Sequence, residues 1–215
     1  YKLGIKRVIC CLSTCIFPDG LNRILTEADL HLGEPHSSNY GYAYAKRIME
    51  VQCRLYNETP GYNYQCIIPT NIYGPHDNFN LEDSHVIPGL IHKAFLHSQN
   101  NPNEPFKILG TGKPRRQFIY VNDLAKIIVR LVDTEEIFEP LLICSTPVEN
   151  EYRILDIAEY IGKQFGIKKV IPIEVSISTE NDGQQIKTAS PAKLLEIMPD
   201  FEFTSIEEGI QKTVQ

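Results

Sequence analysis

Continuous apolar runs alternate with stretches of helical period along most of this chain. Residues 6–12, Lys-Arg-Val-Ile-Cys-Cys-Leu, run apolar after two basic positions, which suits a strand buried on both faces of a parallel sheet. Ser13-Thr14-Cys15 stands at the C-terminal end of that run, where open α/β sheets place their ligands. Residues 17–41 are rich in Pro, Gly, Asn and Ser and read as a loop. In 42–56, Ala45, Ile48, Val51 and Leu55 fall on one stripe, the pattern of a helix with one apolar face. Tyr64 to Thr70 is a second apolar strand stopped by Pro69, and Tyr73 to Phe79 is a turn-rich loop. Helical character returns from about Val86 to His97.

The second half repeats the alternation. A polar linker at 100–105 precedes a short strand, Phe106 to Leu109, and the turn Gly110-Thr-Gly-Lys-Pro114. Gln117 to Val121 is a strand. Asn122 or Asp123 is a candidate cap for a helix with apolar Leu124, Ile127, Ile128, Leu131 and Val132, the clearest helical period in the chain. Pro140 to Cys144 reads as a strand. Ile154, Ile157, Ala158, Ile161 and Phe165 mark another amphipathic helix. Lys169 to Val175 is a strand, and short helices follow near 191–197 and 204–214. Strands alternating with helices predict α/β architecture.

Length and charge narrow the function. The 215 residues suit one large domain or two small ones, and 42% hydrophobic with 22% charged residues is an ordinary globular composition. No apolar run approaches the roughly 18 residues of a membrane helix. A net charge of −6 argues against nucleic acid as the default partner. The six cysteines, Cys10, Cys11, Cys15, Cys53, Cys66 and Cys144, form no CxxC pair. The spacing predicts reduced thiols in the cytoplasm, with no disulfide framework and no metal site. No GxGxxG follows any strand, so a dinucleotide fingerprint is absent or lies upstream of Tyr1.

The candidate chemistry begins with Tyr42 and Lys46, four apart and therefore on one helix face. An ammonium near a phenol favours the tyrosinate, and such a Tyr can exchange a proton with a carbonyl or alcohol oxygen. YxxxK alone is equally an ordinary helix start. Ser13, at a strand end about thirty residues upstream, adds a hydroxyl able to bind the same oxygen. Ser, Tyr and Lys in this order resemble the triad of short-chain dehydrogenase/reductases.

Longer strings sharpen the resemblance. Leu12-Ser-Thr-Cys-Ile-Phe-Pro18, Asn39-Tyr-Gly-Tyr-Ala-Tyr-Ala-Lys46, Ile68-Pro-Thr-Asn-Ile-Tyr-Gly-Pro-His-Asp-Asn-Phe79 and Ser84-His-Val-Ile-Pro-Gly-Leu-Ile-His-Lys93 are similar to the GDP-L-fucose synthase family, as are Gly110-Thr-Gly-Lys-Pro-Arg-Arg-Gln-Phe118 and Asp182-Gly183. The match runs across nearly the whole chain. It implies the C-terminal part of a Rossmann-like doubly wound parallel sheet plus a smaller α/β substrate-binding domain. The glycine-bearing βαβαβ half would precede Tyr1. Residues 1–80, rejoined by 117–145, would belong to the NADP-binding domain, and 81–116 with 146–215 mainly to the substrate domain.

The resemblance also implies roles. NADP(H) would be the cofactor and a GDP-sugar the substrate, in a cytoplasmic homodimer. Ser13, Cys15, Tyr42, Lys46 and His85 would be catalytic, with Cys15 and His85 as the acid/base pair of epimerisation. A thiol and an imidazole are the residue types suited to such work. Leu12, Ser13, Thr14, Lys46, Pro69, Thr70, Asn71, Ile72 and His85 would contact cofactor. Lys93, Leu109, Arg116 and Asp182 would contact substrate. Taken without the resemblance, Cys15 reads as a small buried hydrophobe and His85 as a helix-start histidine. His76 and Tyr44 read as structural. Leu109 stands where the family often carries Trp, and Lys93 where some relatives carry Arg, which loses bidentate phosphate binding. The competing readings are another nucleotide-sugar epimerase or reductase, and a binding protein or inactive fragment.

Overall fold

The computed structural model describes residues 1–133, 140–173 and 187–215. Its elements in chain order are β1 (Arg7–Cys11), α1 (Tyr40–Asn57), β2 (Asn63–Pro69), β3 (Asn71–Tyr73), α2 (Val86–Asn100), β4 (Phe106–Leu109), β5 (Arg115–Tyr120) and α3 (Val121–Asp133). After these come β6 (Leu141–Cys144), β7 (Glu151–Arg153), α4 (Ile154–Gln164), β8 (Val170–Ile173), α5 (Ala192–Ile197) and α6 (Ile206–Val214). The α/β alternation predicted from the sequence is present. The strands β3 and β7, three residues each, are too short to leave a periodic signal.

β1, β2 and β6 form a parallel sheet in the order β1-β2-β6, with Cys10 opposite Cys66 and Ile68 opposite Ile143. Parallel strands with helices on their faces are buried throughout, and β2 is buried from Tyr64 to Pro69. Beyond Thr70 the chain continues as β3, which leaves that sheet and pairs with β5. β5 pairs in turn with β7, antiparallel. β4 and β8 make a separate parallel pair. The turn from β2 into β3 therefore lies between two sheets, which is where the candidate site forms.

Three apolar clusters hold the elements. One joins β1 and β2 to Leu12, Ile16, Phe17, Leu25 and Leu30 of the long loop. A second packs Leu124, Ile127 and Leu131 of α3 and Leu194 of α5 against Ile67 and Leu142. The third gathers α2, α4 and α6 around Phe106, Phe118 and Tyr120. Gly209 of α6 is pressed against Tyr73; a Cβ there would clash with the phenol oxygen.

Two local expectations are corrected. The stripe of α1 faces outward: Ala45, Ile48 and Leu55 are exposed and Val51 is half-buried. The buried face carries Ala43, Arg47, Glu50 and Cys53. The cause is what this helix packs on. Its inner face meets irregular loop with backbone carbonyls that need donors, and Arg47 supplies them. Glu50 accepts from His31 Nε2 at 2.8 Å. Asp123 is also no cap, because α3 begins before it at Val121. Its buried carboxylate instead accepts from Thr204 N at 2.7 Å and Thr204 Oγ1 at 3.0 Å, tying α3 to the approach to α6.

Candidate active site

The C-terminal end of β1 runs into a tight turn, Thr14–Ile16, capped by the Ser13 hydroxyl, which accepts from Cys15 N at 3.4 Å. Capping turns Ser13 back over Cys15, and Ser13 Oγ lies 2.8 Å from Cys15 Sγ. Leu12 N donates to Ile67 O at 2.7 Å, so the sheet ladder continues to the edge of the turn. Sequence and backbone thus bring a hydroxyl and a thiol together at a rigid strand end.

α1 supplies the next two groups. Tyr42 makes a side-chain hydrogen bond with Ser13, which favours the phenolate, but burial outweighs it and pushes the phenol above its ordinary value near 10. Cys15 adds to that rise. Lys46 lies beside Tyr42, its Nζ 5.7 Å from the ring centroid, and donates to Cys11 O at 2.7 Å. The expectation that Lys46 holds the Tyr42 phenol down is not met in this arrangement: the ammonium is committed to the strand-end carbonyl. A raised phenol is a proton donor at neutral pH.

These groups line one cavity of about 660 Å3, together with Leu12, Thr14, Pro69, Thr70, Asn71, Ile72 and His85. Thr70 is buried, and its hydroxyl has no hydrogen-bond partner among the described residues. Asn71 Nδ2 donates to Gln117 O at 2.9 Å, which fixes the β2–β3 turn on β5. His85 precedes the first turn of α2 and makes no side-chain capping bond, so its ring is not committed to the helix end.

A second cavity of about 500 Å3 opens beside the first and shares Asn71, Ile72 and His85 with it. Its wall carries Lys93 from α2, Leu109 at the end of β4 and Arg116 from β5. Leu109 is 65% exposed, a flat apolar surface at the mouth. Gly110 and Gly112 adopt φ of 86° and 68°, a left-handed conformation that glycine takes without steric penalty, and so turn the chain from β4 toward Arg116. Arg116 Nη1 donates to Arg115 O at 2.7 Å.

Every site residue expected from the sequence therefore lines one of two adjoining cavities, except Asp182, which lies outside the described residues. Three further groups stand at or near the site: His76, which the sequence reads as structural, and Asp77 and Lys187, which it leaves unread. His76 lines the larger cavity and holds a left-handed backbone, φ 67°. Asp77 lies beside it on the same wall. Lys187 reaches the same region from the far end of the chain: burial lowers its pKa, Cys15 and Asp19 favour its charged form, and Arg116 opposes it. Nothing periodic surrounds Lys187, so only the fold reveals its place.

Comparison with known proteins gives this arrangement its context. Residues 1–143 match the model of the NAD dependent epimerase/dehydratase family. The GDP-L-fucose synthase of Dictyostelium discoideum is 46% identical over 214 residues, all of this chain and 65% of that protein. The probable GDP-L-fucose synthase of Drosophila melanogaster is 40% identical over 220 residues, covering 100% of this chain and 67% of its own length. The crystal structure of a GDP-L-fucose synthetase from Naegleria fowleri bound to NADP superposes with a TM-score of 0.90 at 40% identity, covering 100% of this chain and 64% of that one. The chain thus spans about two thirds of the length of the relatives it matches. Alternating α/β elements, a Ser-Tyr-Lys constellation at a parallel-strand end and these matches agree: the chain belongs to the NAD dependent epimerase/dehydratase family, on its GDP-L-fucose synthase branch.

Proposed function

We propose that this protein converts GDP-4-keto-6-deoxy-D-mannose to GDP-L-fucose, by epimerisation at carbons 3 and 5 followed by reduction of the 4-ketone with NADPH. One observation carries the reading: Ser13, Cys15, Tyr42, Lys46 and His85 line a single cavity that shares a wall with a second one bearing Lys93 and Arg116. The first cavity suits the reacting sugar and the nicotinamide, and the second suits a diphosphate.

Carbons 3 and 5 both flank the C4 ketone, which acidifies their C–H bonds, and inverting them needs a base on one side and an acid on the other. Cys15 and His85 sit on different elements of the cavity wall, one at a strand end and one at a helix start, and take these two roles. Tyr42 then gives its proton to the C4 oxygen while Ser13 holds that oxygen by a hydrogen bond. Bound NADPH supplies the hydride for this step. The residues present fit its nicotinamide end: Thr70 offers a buried hydroxyl with no partner among the described residues, and Lys46 stands within the cavity to hold the ribose. Lys93 and Arg116 neutralise the diphosphate through charge-assisted contacts, and Asp182 accepts from the nucleotide-sugar.

In this reading residues 1–80 with 117–145 would hold cofactor, and 81–116 with 146–215 mainly substrate. The apolar cores cross this division: Tyr73, Phe118 and Tyr120 pack with α2, α4 and α6, Ala189 packs with Ile68 and Ile143, and Leu194 of α5 packs with α3 and β6. The outward face of α1, with Ile48 59% and Leu55 55% exposed, supports assembly as a homodimer, and the six free cysteines suit the cytoplasm.

The test is direct. Protein expressed from its whole reading frame, mixed with NADPH and GDP-4-keto-6-deoxy-D-mannose, should oxidise the cofactor and yield GDP-L-fucose by chromatography and NMR. Reduction without epimerisation, giving a different GDP-6-deoxyhexose, would move the protein to another nucleotide-sugar reductase. No cofactor oxidation at all would end the reading.

A further inference from the structure

The inner face of α1 holds a buried guanidinium that the proposed chemistry leaves unused. Arg47 is only 7% exposed. Its Nε donates to Ile16 O at 2.7 Å and its Nη1 to Gly33 O at 2.8 Å. The guanidinium lies 5.5 Å from the ring centre of Tyr44. Burial lowers its pKa, and no carboxylate pairs with it among the described residues. A buried charge of this kind is costly, and apolar replacements of similar volume are often as stable. Its place in the fold is therefore better explained by what it holds than by stability.

It holds two specific points. Ile16 ends the turn that carries Cys15. Gly33 lies where the long loop returns: Pro18 bridges Pro35, Asp19 N donates to Glu34 O at 2.9 Å, and a Cβ on Gly33 would meet Pro18 at 3.3 Å. The loop is closed at its neck, and one planar guanidinium spans that neck. A guanidinium presents its donors in a fixed fork, unlike the single point of an ammonium. Arg47 is also next to Lys46 and five residues beyond Tyr42 on one rigid helix.

We propose that Arg47 is a positioning residue: it locks the Cys15 turn in register with α1, and so sets the spacing between the thiol and the Tyr42 phenol. The proposal rests on the reading of Cys15 and Tyr42 as reacting groups. Sub-ångström placement of such groups is worth large factors in rate, which is why a turn at the site would be held by a charge.

The experiment compares Arg47→Met and Arg47→Lys with the parent, in protein expressed from its whole reading frame. Each cysteine is followed by limited iodoacetamide labelling and peptide mass spectrometry, and kcat and KM are measured in parallel. Releasing the turn should speed Cys15 labelling about fivefold or more in Arg47→Met, because thiol reactivity follows exposure and environment. Arg47→Lys should fall between. Buried Cys66 and Cys144 should stay unlabelled as in the parent, and kcat should drop by about tenfold or more with KM values changed less than about threefold. Cys15 labelling within about twofold of the parent overturns the proposal. So does labelling of Cys66 and Cys144 in step with Cys15 in both variants, since Arg47 would then support the fold as a whole. Faster Cys15 labelling with unchanged kcat overturns it too. If the parent itself shows no turnover, the functional reading fails, and the labelling pattern alone decides whether Arg47 holds the turn.

Discussion

The two adjoining cavities differ in how they are built. The larger one takes its reactive groups, His85 at the start of α2 excepted, from short-range structure: a strand end, the turn directly after it, and the first turns of one helix. The smaller one is assembled from α2, the end of β4, the turn before β5, and β5 itself. Side chains that react sit on rigid elements locked by backbone bonds, such as Leu12 N to Ile67 O at 2.7 Å. Side chains that hold sit on exposed surface, as Lys93 and Leu109 do. Chemistry demands fixed distances, whereas a charged ligand can be held by flexible cations at a small cost. Substitutions in the larger cavity should therefore cost rate, and those in the smaller one affinity.

The sharpest test of that division pairs two substitutions in the larger cavity. Cys15→Ser should cut epimerisation by about 10²–10⁴, the usual worth of one acid/base group. Tyr42→Phe should stop formation of GDP-L-fucose while solvent-deuterium incorporation at carbon 3 or 5 largely persists. Mass spectrometry of recovered substrate reads both. If Tyr42→Phe abolishes exchange and Cys15→Ser does not, the two roles are exchanged and the division within the cavity is wrong.

A stability comparison probes the scaffold beneath. Ile127 of α3 is fully buried while Ile48 of α1 is 59% exposed. Ile127→Ala should cost about 2–5 kcal/mol and lower the melting temperature by several degrees. Ile48→Ala should leave the monomer's stability within about 0.5 kcal/mol. A large Tm loss for Ile48→Ala that depends on protein concentration would show that a second copy covers this face.

That pair also marks how far the sequence could be read. α3 packs on an apolar layer, so its period marks the helix and most of its buried face: Leu124, Ile127 and Leu131 lie in the core and Ile128 is half-buried, while Val132 is exposed. α1 gave the helix but the wrong face, because Arg47 and Glu50 are buried against polar loop and Ile48 and Leu55 are outside. Periodicity reports amphipathicity, and it cannot say whether the apolar stripe meets the chain's own core. Part of the larger cavity was legible because Ser13, Tyr42 and Lys46 lie at a strand end and one helix face, whereas Cys15 and His85 were legible only through the family resemblance. The smaller was legible only through the family resemblance, since Lys93, Leu109 and Arg116 share no period. Lys187 was out of reach, because the electrostatic interaction between it and Cys15 links residues most of the chain apart.

In the smaller cavity the expected loss is one of binding. Arg116 follows a glycine turn that aims it into the cavity, and a charge-assisted contact is worth roughly 1.5–3 kcal/mol. Arg116→Ala should weaken GDP binding by about one to two decades, with NADPH affinity nearly unchanged. Calorimetric titration of both ligands decides. Equal GDP binding by variant and parent would remove Arg116 from the site, and a parallel loss of NADPH would erase the distinction between the cavities.

The smallest effect concerns where Lys46 spends its charge. Its ammonium donates to Cys11 O, and it opposes the burial that raises the Cys11 thiol. Lys46→Met removes the opposing charge, so the Cys11 thiol should titrate still higher. Thiolate is the reactive form; at a fixed pH near 8 the variant should therefore alkylate more slowly at Cys11, by a few-fold, and its alkaline limb should move up. The sign is fixed by the chemistry, because a nearby cation favours the thiolate and its loss favours the thiol. Bimane labelling across pH 7–10, read at Cys11 by mass spectrometry, measures the shift. An unmoved Cys11 profile, with the reductive step shifted instead, would return Lys46 to the Tyr42 phenol and make it a tuning group of the larger cavity after all.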